Sequence, residues 1–163
     1  MRILQLSSKV PWPPKDGESI AILTLSKGFF LHGHQVTVLA MNTHDRRVDA
    51  DELPEHLAAE IDFRLVDVPG KITFRRVFRN AFMPDLPLHA ERCICNEYRE
   101  ALGSLLCSQS FDVIQLEGLY LCPYIPLIRQ YSRALIAYRV HNIDHEIWQH
   151  ALKQKGIRKL IYL

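Results

Sequence analysis

The sequence has no G-x-G-x-x-G fingerprint, no Walker A lysine loop and no G-x-S-x-G nucleophile elbow. Dinucleotide binding, P-loop chemistry and the α/β-hydrolase mechanism therefore have no motif to stand on. No segment approaches the roughly 20 apolar residues that span a bilayer. The apolar run that follows Met1 and Arg2 is too short for the core of a signal peptide, which leaves a cytoplasmic location as the expectation. An excess of charge of one sign is also lacking. A net charge of +2 is too small to argue for a nucleic-acid partner. The four cysteines, Cys93, Cys95, Cys107 and Cys122, contain no C-x-x-C pair, and the Cys93/Cys95 spacing lacks the other half of a zinc site. They read as reduced, mostly buried thiols. His145-Glu146-Ile147-Trp148-Gln149-His150 is one residue too long for a zincin motif. Histidines five apart on a helix point about 140° away from each other, so no metal site is expected there.

What is present is an ordinary globular composition, 48% hydrophobic and 23% charged over 163 residues, which fits one domain spanning residues 1–163. Strand and helix periods alternate along it. Ile3 to Leu6 reads as a first strand. A proline-rich loop runs from Ser7 to Glu18. A helix follows over Ser19 to Leu31, with Ile20, Leu23 and Phe30 at helical spacing and Gly33 as its stop. Strands are expected at Gln35–Ala40 and Phe63–Val68, with a short helix near Glu55 between them. Helical patterns at Glu91–Leu106 and Leu121–Tyr131 flank a fourth strand at Asp112–Leu116. A fifth strand covers Leu135–Val140, and a last helix starts near Asp144. Such alternation predicts an α/β fold, a doubly wound parallel sheet of Rossmann-like type ordered 3-2-1-4-5. The chain ends inside a helical pattern with no stop signal, which suggests a piece of something longer.

In an open parallel sheet, ligands bind beyond the carboxyl ends of the strands. That rule selects Lys15-Asp16-Gly17-Glu18 after strand one, Glu117-Gly118 after strand four and His141-Asn142 after strand five. Gly17 precedes a helix, where free amides and the dipole favour a phosphate, or it is a simple loop glycine. His141 is a hydrogen-bond donor or proton shuttle, or a core or capping histidine. Glu117 contacts a ligand or is a helix-start carboxylate. Residues 71–79 mix Arg75, Arg76 and Arg79 with Phe74, Val77 and Phe78, which suits an anionic membrane surface, an anionic acceptor or a plain amphipathic helix over the core.

In this order, the residues resemble a family. Pro13-Pro14-Lys15-Asp16-Gly17-Glu18-Ser19, then a long helix, then Gly33-His34-Gln35-Val36-Thr37-Val38-Leu39, resembles the start of the group 1, glycogen-synthase-like retaining glycosyltransferases of GT-B fold. Phe111 to Gly118 is similar to their fourth strand, and Arg139-Val140-His141-Asn142-Ile143-Asp144 to their strand-five segment. The resemblance implies an N-terminal, acceptor-side domain of an enzyme that transfers a sugar from a nucleotide-sugar donor with retention, usually without a metal or other cofactor. By position, Gly17 would offer its amide to the donor phosphate and His141 would act as the catalytic residue. Asp16, Glu18, Glu117, Arg75, Arg76 and Arg79 would serve the acceptor, a glycan or lipid-linked molecule such as a bacterial polysaccharide precursor, met in the cytoplasm or at the inner face of the membrane. A C-terminal donor domain would complete the site, so the domain alone would be inactive. Glu52 and Glu60 satisfy the family's E-x7-E spacing only by chance, being placed between strands two and three. The alternatives are a non-enzymatic flavodoxin-like module and a peripheral membrane-binding module resting on residues 71–79.

Overall fold

The computed structural model describes residues 1–68 and 94–141. Among them, β1 (Arg2–Ser7), β2 (Gln35–Thr43), β3 (Asp62–Val68), β4 (Val113–Glu117) and β5 (Leu135–Arg139) form one sheet in the order β3-β2-β1-β4-β5. Every neighbouring pair is parallel. Helices α1 (Gly17–Leu31), α2 (Glu55–Glu60), α3 (Asn96–Ser108) and α4 (Ile125–Tyr131) connect them. This is the doubly wound, Rossmann-like architecture that the alternation predicts. β1 lies at the centre because it pairs with both β2 and β4, so its carboxyl end sits at the switch in strand order.

The pleat sends alternate residues to the two faces. On one face Leu4, Leu6, Leu39, Met41, Ile114 and Leu116 pack beneath α3 and α4 through Tyr98, Leu102, Leu127 and Ile128. On the other, Val36, Val38 and Ala40 pack with Leu57 and Ile61 of the α2 region. The central strands are therefore buried on both sides, whereas the edge strand β3 alternates exposed and partly covered positions.

Helix α1 departs from the expected stripe. Leu23 is buried, but Ile20 and Phe30 are exposed, at 52% and 39%. The inward line is Ser19, Ile22, Leu23 and Ser26. Two small polar residues face the sheet because β1 and β4 present Gln5 and Gln115 there instead of apolar side chains, and Ser26 bonds Gln5 directly. Gly33 follows the helix at φ 77°, the left-handed conformation of a C′ glycine, and donates to Phe30 O at 2.8 Å.

Other boundaries differ for local reasons. Residues 94 and 95 are not helical; Cys95 is the extended N-cap of α3. The expected helix from Leu121 is a 3-10 turn over Leu119–Tyr124 before α4 begins, since Pro123 and Pro126 each remove a donor from an α-helical ladder. Cys95 is buried, but Cys107 is exposed and Cys122 half-buried, so the thiols are less uniformly internal than expected. Burial pushes the Cys122 thiol above its ordinary value, towards inertness. Cys93, the segment 71–79, Asn142 and the helix expected from Asp144 lie outside the described residues. No helix among the described residues is long and apolar enough to cross a membrane.

Candidate functional site

Three strand ends converge where β1 turns into the loop before α1. The loop returns Lys9 to the mouth of the sheet, held from within as Ser7 Oγ donates to Lys9 O at 2.6 Å. Asp16 is the N-cap of α1 and accepts from the Ser19 amide at 2.9 Å. Lys9 Nζ lies 2.8 Å from Asp16 Oδ1 and 2.7 Å from Glu18 Oε2. Arg46, beyond β2, reaches within 3.7 Å of Asp16. Arg139, the last residue of β5, and His141, just beyond it, close the opposite wall. Together with Gly17, these side chains line a cleft of about 650 Å³. Two other hollows lie away from it, one at the amino ends of β4 and β5 and one beside Phe63 and Leu65 of β3.

Beneath the cleft lies a buried polar cluster. The Glu117 side chain is 0% exposed. Its Oε1 accepts from Gln5 Nε2 at 3.0 Å and from Gln115 Nε2. Its Oε2 faces His141 Nε2 at 2.6 Å and Arg139 Nη1 at 3.7 Å. A carboxylate oxygen only accepts, so His141 carries its proton on Nε2 and a neutral ring presents Nδ1 as an acceptor. The His141 side chain is only 9% exposed. Burying charge without partners is costly, and here each carboxylate oxygen has two donor-bearing neighbours.

Of the residues selected from sequence, Asp16, Gly17, Glu18 and His141 line the cleft. Glu117 reaches it only through His141 and Arg139. Arg75, Arg76 and Arg79 lie outside the described residues. Lys9, Arg46 and Arg139 line the cleft too, outside the segments that the strand-end rule selects. Arg139 is the register partner of Glu117 across β4 and β5. The glycine at 17 is not demanded by the chain's own packing, since it has no positive φ and a Cβ would meet nothing within 4 Å. Gly118 is different. At φ 105° and ψ 160° it occupies backbone space reserved for glycine, and this lets its amide reach Arg139 O at 3.1 Å directly after Glu117.

The Lys9 ammonium, then the Ser19 amide, hold the Asp16 carboxyl well below its ordinary range, at about 2. A depressed carboxylate stabilises the fold above its unfolded value of about 3.9, and that contribution fades as pH falls towards 2. The Asp16 side chain is 40% exposed, so water screens the ion pair and the cap is the larger part. Asp16→Ala should lower stability at pH 6 by roughly 0.5–2 kcal/mol. Urea titrations at pH 6 and pH 2.5 should show the gap between the two proteins narrowing at the lower pH. An equal gap at both would remove the carboxylate as its cause.

Comparison of the chain with protein-family models, curated proteins and solved structures gives no match. The functional reading therefore rests on the residues and their geometry. Among the described residues no group of three or more His, Cys, Asp or Glu side chains could hold a metal ion.

Proposed function

We propose that this chain is the acceptor-side domain of a retaining glycosyltransferase of GT-B type, which moves a sugar from a nucleotide-sugar donor to a glycan or lipid-linked acceptor. The observation that carries the reading is the buried Glu117–His141 pair, set into the wall of a cleft that also contains the first turn of α1. The Glu117 carboxylate fixes the tautomer, so His141 Nδ1 is free to accept from a sugar hydroxyl. Its negative charge also favours the positive charge that develops on the sugar in an oxocarbenium-like transition state. At the other wall, the Gly17 position leaves room for a phosphate to approach the helix amides, and Lys9 and Arg46, with Arg139 across the cleft, offset the carboxylates of Asp16 and Glu18. A second domain would supply most of the donor contacts, and the acceptor would enter past Asp16 and Glu18.

The test is nucleotide release by the full-length natural protein with a panel of nucleotide sugars, beside His141→Ala. Turnover about 100-fold lower in the variant is expected, in line with the loss of one transition-state contact. Undiminished turnover would return His141 to a structural role. If neither turnover nor calorimetric binding is found with any nucleotide sugar, the transferase reading fails.

A further inference from the structure

The apolar strand β1 carries one polar residue facing α1 at its middle, Gln5, and β4 carries Gln115 in the same place; the two are paired in register. Gln5 is 0% and Gln115 7% exposed. Neither glutamine lines the cleft, and neither is required for a parallel ladder, where Val or Ile would serve. Each sends its amide nitrogen to the same atom, Glu117 Oε1. The amide orientations follow from charge. A flipped Gln5 would set its carbonyl against the carboxylate, so Nε2 faces Glu117 and Oε1 is left for the Ser26 hydroxyl of α1. With Oε1 held by two donors, Oε2 has one direction left to point, towards His141.

We propose that Gln5 and Gln115 form an amide clamp that positions His141 through Glu117, with Ser26 as the strut tying the clamp to α1. The clamp fixes the Glu117 rotamer, Glu117 fixes the Nε2–H tautomer and the ring direction, and Ser26 links this assembly to the helix whose first turn is the opposite cleft wall. A second tie runs in parallel, Arg139 Nη1 to Ala21 O at 3.1 Å. The spacing between His141 and the N-terminus of α1 is therefore set inside the protein, before any ligand arrives. Gln5, Gln115 and Ser26 are positioning residues. Their consequence for catalysis rests on the transferase reading; their effect on the imidazole does not.

The experiment reads the ring directly, by long-range nitrogen–proton NMR of His141 in the whole protein, with assignment by His141→Gln. In the unaltered protein one tautomer is expected, protonated at Nε2, with its ring proton slow to exchange. Gln5→Leu and Gln115→Leu should mix the tautomers and speed exchange of that proton by about tenfold or more, because local opening now frees the ring. Ser26→Ala, a small change that preserves the apolar packing, should shift the same signals in the same direction by less, and it carries the test if the leucine variants do not fold. An unchanged tautomer and exchange rate in the folded variants would overturn the clamp. Because no turnover is measured, this result stands apart from the fate of the transferase reading. Where turnover is found, the clamp variants should lower kcat with little change in KM for the donor.

Discussion

Replacing Glu117 with leucine will cost roughly 3–5 kcal/mol of folding stability, as several buried donors lose one shared acceptor at about 1–3 kcal/mol each. The size follows from what is left behind. Gln5, Gln115 and His141 each lose the acceptor for a buried donor, and Arg139 keeps its guanidinium beside an apolar side chain. Each orphaned polar group carries its own desolvation cost, so the loss far exceeds the modest worth of any one hydrogen bond. Glu117→Gln keeps the volume but places an NH2 group against existing donors, and should cost less, about 1–3 kcal/mol. Urea denaturation of both variants against the unaltered protein measures this. A leucine variant within 1 kcal/mol of the parent would mean that water enters the cluster and replaces the carboxylate, and the account of a sealed network would fall.

Tyr98→Ala should be equally severe, at roughly 3–5 kcal/mol, for a different reason. Tyr98 is 0% exposed, and its ring meets Tyr124 edge-on at 5.1 Å between centroids. Its hydroxyl donates to Leu39 O at 2.8 Å, reaching from α3 to the middle of β2. Alanine leaves a large cavity between α3 and the sheet and removes the hydroxyl's bond to Leu39 O. Tyr98→Phe separates the parts: it keeps the ring and loses only the hydroxyl, at about 1 kcal/mol. Thermal melts of the two variants check the division. Equal losses would assign the whole effect to the hydrogen bond rather than to packing.

Much of the architecture was legible because burial on both faces leaves a plain mark. Val36 to Ala40 and Ile114 to Leu116 are short β-rich runs bounded by turn residues, and the alternation with helices dictated a parallel sheet in the observed order. Helix α1 was harder. Its outward Ile20 and Phe30 were as apolar as a core stripe, and its inward Ser19 and Ser26 make sense only once Gln5 is known to lie opposite. The strand-end rule brought Asp16, Gly17, Glu18 and His141 to one cleft, since it depends on topology alone. It could not tell that Glu117 would turn inward, because that depends on the pleat of β4 and on two amides from neighbouring strands. The unread signal was the repeated pattern itself, Ile-Leu-Gln-Leu in β1 and Val-Ile-Gln-Leu in β4, a polar residue at matching positions of two otherwise apolar strands.

The central position of β1 sets a timetable for the nascent chain. Its partner β2 follows after one helix, but Gln5 and Glu117 are 112 residues apart in sequence. At the pace of synthesis the N-terminal half waits roughly ten seconds for β4. During that interval β1 is an open edge, with its outward backbone groups unpaired and Gln5 without its carboxylate. Such an edge pairs readily with any other extended segment. The late closure of a long loop also slows folding. The same arrangement that seals the polar cluster in the finished sheet thus makes the first strand translated among the last to be secured, and leaves the emerging chain dependent on being kept apart from its neighbours until Glu117 arrives.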